Sequence, residues 1–198
     1  MVGFKNRDVI SITDFNPDDI LYLCKEGKRI YDFEMSGKRN FLMNALKGKR
    51  LVWMFYEPST RTKTSTIAAA VKLGMDHDGF SGTEGTSVKK KETIRDTVLM
   101  ENINEFDVLV MRHPLDGSLQ LAADYSPIPV INAGDGKNEH PTQGFLDGLT
   151  IYMENGHSFN GLNLGLGGDL SHGRTIRSLC LEVSHFDDIA INWAAEDF

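Results

Sequence analysis

A run of hydroxyl and cationic side chains lies where an apolar stretch gives way to an alanine-rich one. The stretch 51–56 (LVWMFY) predicts a buried strand, and 62–74 (TKTSTIAAAVKLG) predicts a helix. Four residues at this junction could bind an anion: Ser59, Thr60, Arg61 and Thr62. A helix N-terminus presents unpaired N–H groups and a partial positive charge, and hydroxyl and guanidinium groups add donors suited to phosphate. The junction therefore predicts an anion site, although a Ser/Thr-rich helix cap beside a solvated arginine would explain the same residues.

Three more polar side chains occupy equivalent places along the chain. Arg112 follows a predicted strand at 107–111, while His140 and Gln143 stand at the start of a predicted helix. Because the carboxyl ends of parallel strands open on one edge of a sheet, these side chains can converge with Arg61. Each has an ordinary explanation when taken singly, as a solvated strand end or a loop residue. Together, beside an anion site, they predict an active-site constellation.

The composition limits the class of protein. The net charge of −7 over 198 residues argues against a nucleic-acid binder, so a site for an anion must be built locally. Cys24 and Cys180 lie far apart, without metal-ligand spacing, which indicates a reducing compartment. The N-terminus lacks the apolar core of a signal peptide, and no apolar run is long enough to span a membrane. We therefore expect a cytoplasmic globular protein.

Alternating helix and strand signals predict an α/β fold with a buried parallel sheet. The predicted helices are 14–37, 62–74, 92–104, 117–124, 141–155 and 173–186. The predicted strands are 51–56, 75–80, 107–111, 128–132, 162–167 and 188–193. The polar, basic segment 81–92 is predicted to be a mobile loop. The boundaries that we expect are a first domain at 1–140, a connector helix at 141–156 and a partial second domain at 157–198.

Five motifs resemble, in the same order, those of the aspartate/ornithine carbamoyltransferase family. They are 58-PSTRTKTS-65, 79-GFSGTEGTS-87 with 88-VKKKET-93, 110-VMRHP-114, 130-VINAGDGKNEHPTQ-143 and 168-GDLSHGRTIRSL-179. The S-T-R-T and H-P-T-Q pair is typical of carbamoyltransferases in general. The M-R-H-P motif and the A-G-D-G run favour the aspartate enzymes over the ornithine enzymes.

The resemblance implies a reaction and an assembly. It implies that the first domain binds carbamoyl phosphate and that the second, partial and Rossmann-like, binds aspartate. The reaction would be transfer of the carbamoyl group to the amino group of L-aspartate in pyrimidine biosynthesis, with no metal or cofactor. Subunits would form a homotrimer, with or without regulatory subunits. Family members continue beyond the point that matches Phe198, so we expect the 198 residues alone to bind carbamoyl phosphate but to make little carbamoyl-aspartate.

The resemblance also assigns roles to particular residues. The phosphate would be held by Ser59, Thr60, Arg61 and Thr62, and the carbamoyl group would be contacted by Arg112, His140 and Gln143. Arg174 would bind a carboxylate of aspartate, and Ser87 and Lys90 would reach into a neighbouring subunit's site, where Lys90 would also contact aspartate. Charge that develops in the reaction would be stabilised by Arg61, Arg112, Lys90 and a donor nitrogen of His140, with Thr62 beside them.

The sequence departs from the family's motifs at a few positions, and other functions would fit the same motifs. Lys63, Ile67 and Lys91 differ from the residues usual in the family. An ornithine carbamoyltransferase, or a relative that binds carbamoyl phosphate without catalysis, would carry many of the same motifs. A dinucleotide-binding domain is disfavoured because 165-GLGGDL-170 does not complete G-x-G-x-x-G, and the chain lacks a P-loop motif.

Overall fold

Strands and helices alternate along the chain as the sequence predicts. The computed structural model describes residues 3–37, 42–82, 92–168, 170 and 173–194. The main helices are α1 (Pro17–Met35), α2 (Thr60–Leu73), α3 (Ile94–Ile103), α4 (Ser118–Tyr125), α5 (Pro141–Glu154) and α6 (Arg174–Val183). The strands are β1 (Arg50–Phe55), β2 (Asp76–Ser81), β3 (Val108–His113), β4 (Val130–Asp135), β5 (Asn163–Gly167) and β6 (Ala190–Ala194). Each predicted element is confirmed, with ends that differ by a few residues.

The start of α1 shows why local sequence predicts this helix well. The side chain of Asn16 accepts a hydrogen bond from the backbone N–H of Asp19, and the Asp19 carboxylate accepts from the backbone N–H of Asn16. This reciprocal capping box satisfies donors that a helix terminus otherwise leaves unpaired. Pro17 occupies the first helical turn, where its missing N–H costs nothing.

The first four strands form one parallel sheet in the order β2-β1-β3-β4. In the register of β1 and β3, Phe55 pairs with Arg112, so the two strands reach the same edge together. Arg112, which was predicted to follow β3, belongs to the strand because it pairs with β1, and His113 ends the strand by pairing with Asp135 of β4. The predicted parallel sheet is confirmed.

Alternate side chains of these strands build two separate cores. On one face, Met54, Leu109 and Met111 are fully buried and belong to a cluster that includes Val98 of α3 and Leu119 of α4. On the opposite face, residues of β1 and β3 cluster with residues of α2 and β4: Leu51, Phe55, Val110, Ala70 and Ala133. This two-sided burial explains why β1 and β3 are apolar at nearly every position.

A third core joins the N-terminal helix to the second unit. Helices α1, α5 and α6 pack together, and β5 pairs in parallel with β6 beside them. The largest buried side chains of this cluster are Phe15 and Phe159, which are each 1% exposed. The turn that precedes α1 is tied to the residue before His140, because Glu139 accepts hydrogen bonds from Ser11 Oγ (2.6 Å) and the Ile12 N–H (3.0 Å).

The interface of α5 and α6 contains a buried carboxyl group. Glu182 is fully buried, and neither carboxyl oxygen has a hydrogen-bond partner within the described residues. Gly148 of α5 makes room for it, since a Cβ at that position would lie 2.1 Å from Glu182 Oε1. Burial, with a smaller contribution from the charge of Asp147, raises the pKa of Glu182 to about 8. Glu182 is therefore largely protonated at neutral pH.

Both cysteines are free, and Cys24 is buried. Burial is the main reason that the pKa of Cys24 is raised to about 12, so this thiol stays protonated at neutral pH. Over the described ranges, no group of three or more His, Cys, Asp or Glu side chains could hold a metal ion. None of the helices in these ranges has the length and apolar character needed to cross a membrane.

The buried carboxyl group makes stability depend on pH. The pKa of Glu182 rises on folding from an ordinary 4.5 to about 8, so the folded chain holds a proton that the unfolded chain releases within that window. Its contribution to the free energy of unfolding is complete below about pH 4.5 and is lost as the pH rises towards 8. We expect Glu182→Gln to remove this loss, which amounts to roughly 1.4 kcal/mol for each unit of pKa difference. Urea unfolding from pH 5 to pH 8 measures it, with the exposed Glu154→Gln on α5 as the control. Equal pH slopes in the wild type and Glu182→Gln would contradict this assignment.

Candidate functional site

One cavity collects the polar residues that the sequence disperses. It has a volume of about 910 Å³ and lies at the carboxyl ends of β1 and β3, where α2, α5 and α6 begin. Its lining consists of Ser59, Thr60, Arg61, Thr62, Ser65, Arg112, His140, Thr142, Gln143, Leu146, Asp147, Arg174 and Thr175. All the predicted site residues that the structure describes are in this set. Ser87 and Lys90, also predicted, lie outside the described residues.

The start of α2 has the features of an anion site. Ser59 precedes the helix with extended backbone angles (φ −151°, ψ 105°), and its hydroxyl makes no capping hydrogen bond. The alternative explanation expected a side-chain cap, which Ser59 does not form, and a solvated arginine. The first turn of α2 contains no acidic residue, so its partial positive charge is not compensated within the helix. Arg61 is exposed on that turn and lines the cavity.

Two arginines from distant parts of the chain meet at one carboxylate. Arg112 Nη2, at the end of β3, lies 2.5 Å from Glu57 Oε1. Arg174 Nη2, at the start of α6, lies 3.2 Å from the same oxygen. Arg174 Nη1 also donates to the carbonyl oxygen of Gly136 at 2.6 Å. The ion pairs therefore join the end of β1, the end of β3 and the second unit.

A glycine provides the space in which the two guanidinium groups lie. Gly134 has φ +126°, a conformation that side chains rarely adopt. A Cβ at this position would lie 3.2 Å from Arg174 Cζ and 3.4 Å from Arg112 Nη1. The backbone conformation therefore favours glycine here, and a side chain would also press against the two guanidinium groups.

The electrostatics of the pair are those of partly buried like charges. The pKa of Arg112 is lowered, mainly by burial and then by the nearby charge of Arg174, while Glu57 opposes the shift. Arg112 Nε is buried and has no hydrogen-bond partner within the described residues. Arginine remains charged in proteins, so the cavity contains fixed positive charge with an unused donor. Such a site favours an anionic ligand that brings acceptor oxygens.

His140 is held as a neutral ring. It is 5% exposed and directly precedes α5. Burial first, and then the charges of Arg174 and Arg112, lower the pKa of His140 to about 4. Its Nδ1 lies 3.1 Å from Thr142 Oγ1, and its backbone N–H donates to Ser178 Oγ at 3.0 Å. When Thr142 donates to Nδ1, the ring proton is on Nε2, which makes His140 a neutral hydrogen-bond donor rather than an acid.

Sequence reasoning missed two carboxylates of the site. Glu57 lies two residues after the end of β1, and its position near the strand end that pairs with Arg112 was the available signal. Asp147 lies four residues after Gln143 on α5, and Gln143 Nε2 donates to Asp147 Oδ1 at 2.8 Å. Residues four apart on a helix are neighbours, so the spacing alone could have indicated this pair.

The cavity can therefore bind a small anion and stabilise negative charge on a second oxygen. The helix N-terminus, hydroxyl groups and Arg61 lie on one side. Arg112, Arg174 and the neutral His140 supply fixed donors elsewhere in the same cavity. Preorganised donors of this kind lower the energy of a transition state in which charge develops on oxygen.

The sequence of this chain is similar to that of known carbamoyltransferases. Residues 7–153 match the sequence model described as "Aspartate/ornithine carbamoyltransferase, carbamoyl-P binding domain". The chain is 44% identical over 187 residues to the aspartate carbamoyltransferase catalytic subunit of Thermococcus kodakarensis, which covers 94% of this chain and 58% of that protein. A catalytic subunit from Methanococcus aeolicus is 45% identical over 186 residues, with 94% and 58% covered.

Solved structures agree in fold. The catalytic subunit of M. jannaschii aspartate transcarbamoylase superposes with a TM-score of 0.88 at 36% identity and covers 96% of this chain and 61% of that chain. The Trypanosoma cruzi enzyme in complex with carbamoyl phosphate and aspartate gives 0.85 at 36% identity, with 93% and 56% covered. The chain thus spans less than two thirds of these relatives' length. With three quarters of its residues matched by the family's sequence model and the site residues in one cavity, the chain belongs to the aspartate/ornithine carbamoyltransferase family.

Proposed function

We propose that this protein transfers the carbamoyl group of carbamoyl phosphate to the amino group of L-aspartate, forming N-carbamoyl-L-aspartate and phosphate for pyrimidine biosynthesis. One observation carries the proposal: the residues assigned to the phosphate, the carbamoyl group and one aspartate carboxylate line a single cavity. The T. cruzi relative, whose structure contains carbamoyl phosphate and aspartate, supports the choice of substrates.

In the proposed reaction, the chain's residues position two anions and stabilise the charge that develops. The N-terminus of α2 and Arg61 hold the phosphate. Arg112 and the Nε2–H of His140 face the carbonyl oxygen, which becomes negative as the aspartate amine attacks the carbon. The C–N bond forms, the C–O bond to phosphate breaks, and the departing phosphate takes the amine's proton. Arg174 binds a carboxylate of aspartate, and holding both substrates against their mutual repulsion supplies much of the acceleration.

Glu57 occupies the place of an anion while the site is empty. It compensates Arg112 and Arg174, which are 13% and 18% exposed, so the like charges are tolerated before substrate binds. An anionic substrate can then replace the carboxylate at one arginine while Glu57 keeps the other. A basic site is thereby maintained in a chain of net charge −7.

The assembly follows the family's pattern in this proposal. A homotrimer in the cytoplasm, with or without regulatory subunits, would let Ser87 and Lys90 of one subunit complete the site of the next. Lys90 would add charge beside the carbamoyl oxygen and the aspartate carboxylates. The proposed first domain ends at 140, the connector helix covers 141–156, and the aspartate domain begins at 157.

A second candidate is a protein that binds carbamoyl phosphate without transferring it. Most of the cavity residues with an assigned role would bind carbamoyl phosphate, and among them Arg174 is assigned to the amino acid. This imbalance favours the second candidate. An ornithine carbamoyltransferase differs from the first proposal only in the amine. Neither alternative changes the assignment of the anion site.

Turnover separates these three functions. We expect the protein expressed from its complete coding sequence to form N-carbamoyl-L-aspartate from carbamoyl phosphate and L-aspartate. Chromatography of the products, with L-ornithine in a parallel reaction, measures the choice of amine. Citrulline as the main product would identify the ornithine enzyme, and carbamoyl phosphate binding without either product would identify the binding protein.

Loss of Arg61 tests the anion site directly. Arg61→Ala removes a charge-assisted hydrogen bond, so we expect carbamoyl phosphate binding to weaken by about 2 kcal/mol, or roughly 30-fold. Isothermal calorimetry measures the dissociation constant. Lys63→Ala is the control, because Lys63 is a cation on the same helix that lies over the Trp53 ring (5.7 Å) and does not line the cavity. Equal affinities for Arg61→Ala and the wild type would show that α2 does not hold the phosphate.

Mixed subunits test whether sites are shared. Lys90→Ala and Arg61→Ala each damage every site of a homotrimer when present alone. If Lys90 acts in a neighbour's site, trimers reassembled from both variants contain some sites in which both residues are intact, and activity returns. Activity that stays at the parental level in trimers verified by native mass spectrometry would place Lys90 in its own subunit's site or outside any site.

A further inference from the structure

We propose that Asp147 fixes the orientation of the Gln143 side-chain amide, so that the amide oxygen faces the cavity and accepts a hydrogen bond from the NH2 of the substrate's carbamoyl group. The inference rests on the proposed function and deepens it. Gln143 contacts substrate in this proposal, whereas Asp147 is a positioning residue that selects which face of the amide the substrate meets.

The contact between the two side chains determines the orientation. Gln143 Nε2 lies 2.8 Å from Asp147 Oδ1, one helical turn apart on α5, and both residues line the cavity. An ionised carboxylate can only accept hydrogen bonds, so the part of the amide that faces it must be the NH2 group. The assignment therefore follows from the chemistry of the partner and not from the similar shapes of the amide oxygen and nitrogen.

The amide oxygen is then left free. Within the described residues, no donor forms a hydrogen bond to Gln143 Oε1, since the contact with Asp147 is the one that its side chain makes. A planar amide whose NH2 is held on one side presents its oxygen on the other. Gln143 therefore contributes an acceptor to the cavity.

The value of this acceptor comes from its surroundings. The charged groups around it that are assigned to substrate are donors: Arg61, Arg112 and Arg174. One oxygen of Glu57 is bonded to Arg112 and Arg174, and one oxygen of Asp147 accepts from Gln143. Donors recognise the oxygens of carbamoyl phosphate but cannot recognise its two N–H groups. A fixed acceptor distinguishes a carbamoyl group from an acyl group of the same size.

Discrimination between two phosphates tests this role. Acetyl phosphate has a methyl group where carbamoyl phosphate has NH2, and calorimetry gives the ratio of the two dissociation constants. We expect the wild type to prefer carbamoyl phosphate by about tenfold, the value of one hydrogen bond in a partly buried site. Asp147→Asn can offer its own NH2 and let the Gln143 amide turn, so the preference should fall several-fold. A general loss of stability would weaken both ligands and leave their ratio unchanged.

A reversed pair makes the test independent of simple damage. Gln143→Glu combined with Asp147→Asn keeps the same net charge but exchanges donor and acceptor, so that Asn donates to Glu and the second carboxylate oxygen faces the cavity. The preference for carbamoyl phosphate should return in this double variant. Asp124→Asn is the matched control, because Asp124 accepts from Gln120 Nε2 at 2.8 Å with the same spacing on α4, outside the cavity.

The outcomes separate this inference from the proposed function. A wild type that does not bind carbamoyl phosphate overturns the proposed function itself. A wild type that binds both phosphates equally, an Asp147→Asn variant that keeps the wild-type ratio, or a reversed pair that does not recover it overturns the role of Asp147. The role of Asp147 is supported if Asp147→Asn loses the preference for carbamoyl phosphate and the reversed pair recovers it.

Discussion

The carboxylate of Glu57 is the interaction on which the site depends, because it allows two arginines to lie close together in a partly buried place. Arg112 and Arg174 would repel each other, and their desolvation has a cost that grows with burial. One carboxyl oxygen bonded to both offsets that repulsion and joins the ends of β1 and β3 to α6. The arrangement of the second unit over the first sheet is thus linked to the charge balance of the cavity.

Helix α5 has two different surfaces that serve the same site. Gln143 in its first turn and His140 just before it line the cavity, while Gly148, farther along, packs against Glu182 of α6. The backbone N–H of His140 also donates to Ser178, which lies on α6. A shift of α6 against α5 would therefore change both the packing around Glu182 and the hydrogen bond that holds the backbone of His140.

Local sequence predicts the features that local interactions decide. Asn16 and Pro17 mark the start of α1, and the apolar strands with hydroxyl and cationic residues at their ends mark the edge where the site forms. Sequence does not predict features decided by contacts between distant residues. Glu57 looks like an ordinary turn residue until Arg174, which is 117 positions away, is placed beside it. Glu182 looks like a solvated helix residue, and only the packing of α6 against Gly148 shows that it is buried.

Gly134 has a consequence for reading other members of the family. The identity of this one residue bears on both the backbone conformation of β4 and the placement of the two guanidinium groups, because Gly134 has a positive φ and lies next to them. A side chain at this position would strain the backbone within β4 and press against the ends of both guanidinium groups. A relative without glycine at this position is therefore expected to place its chain or its two cations differently.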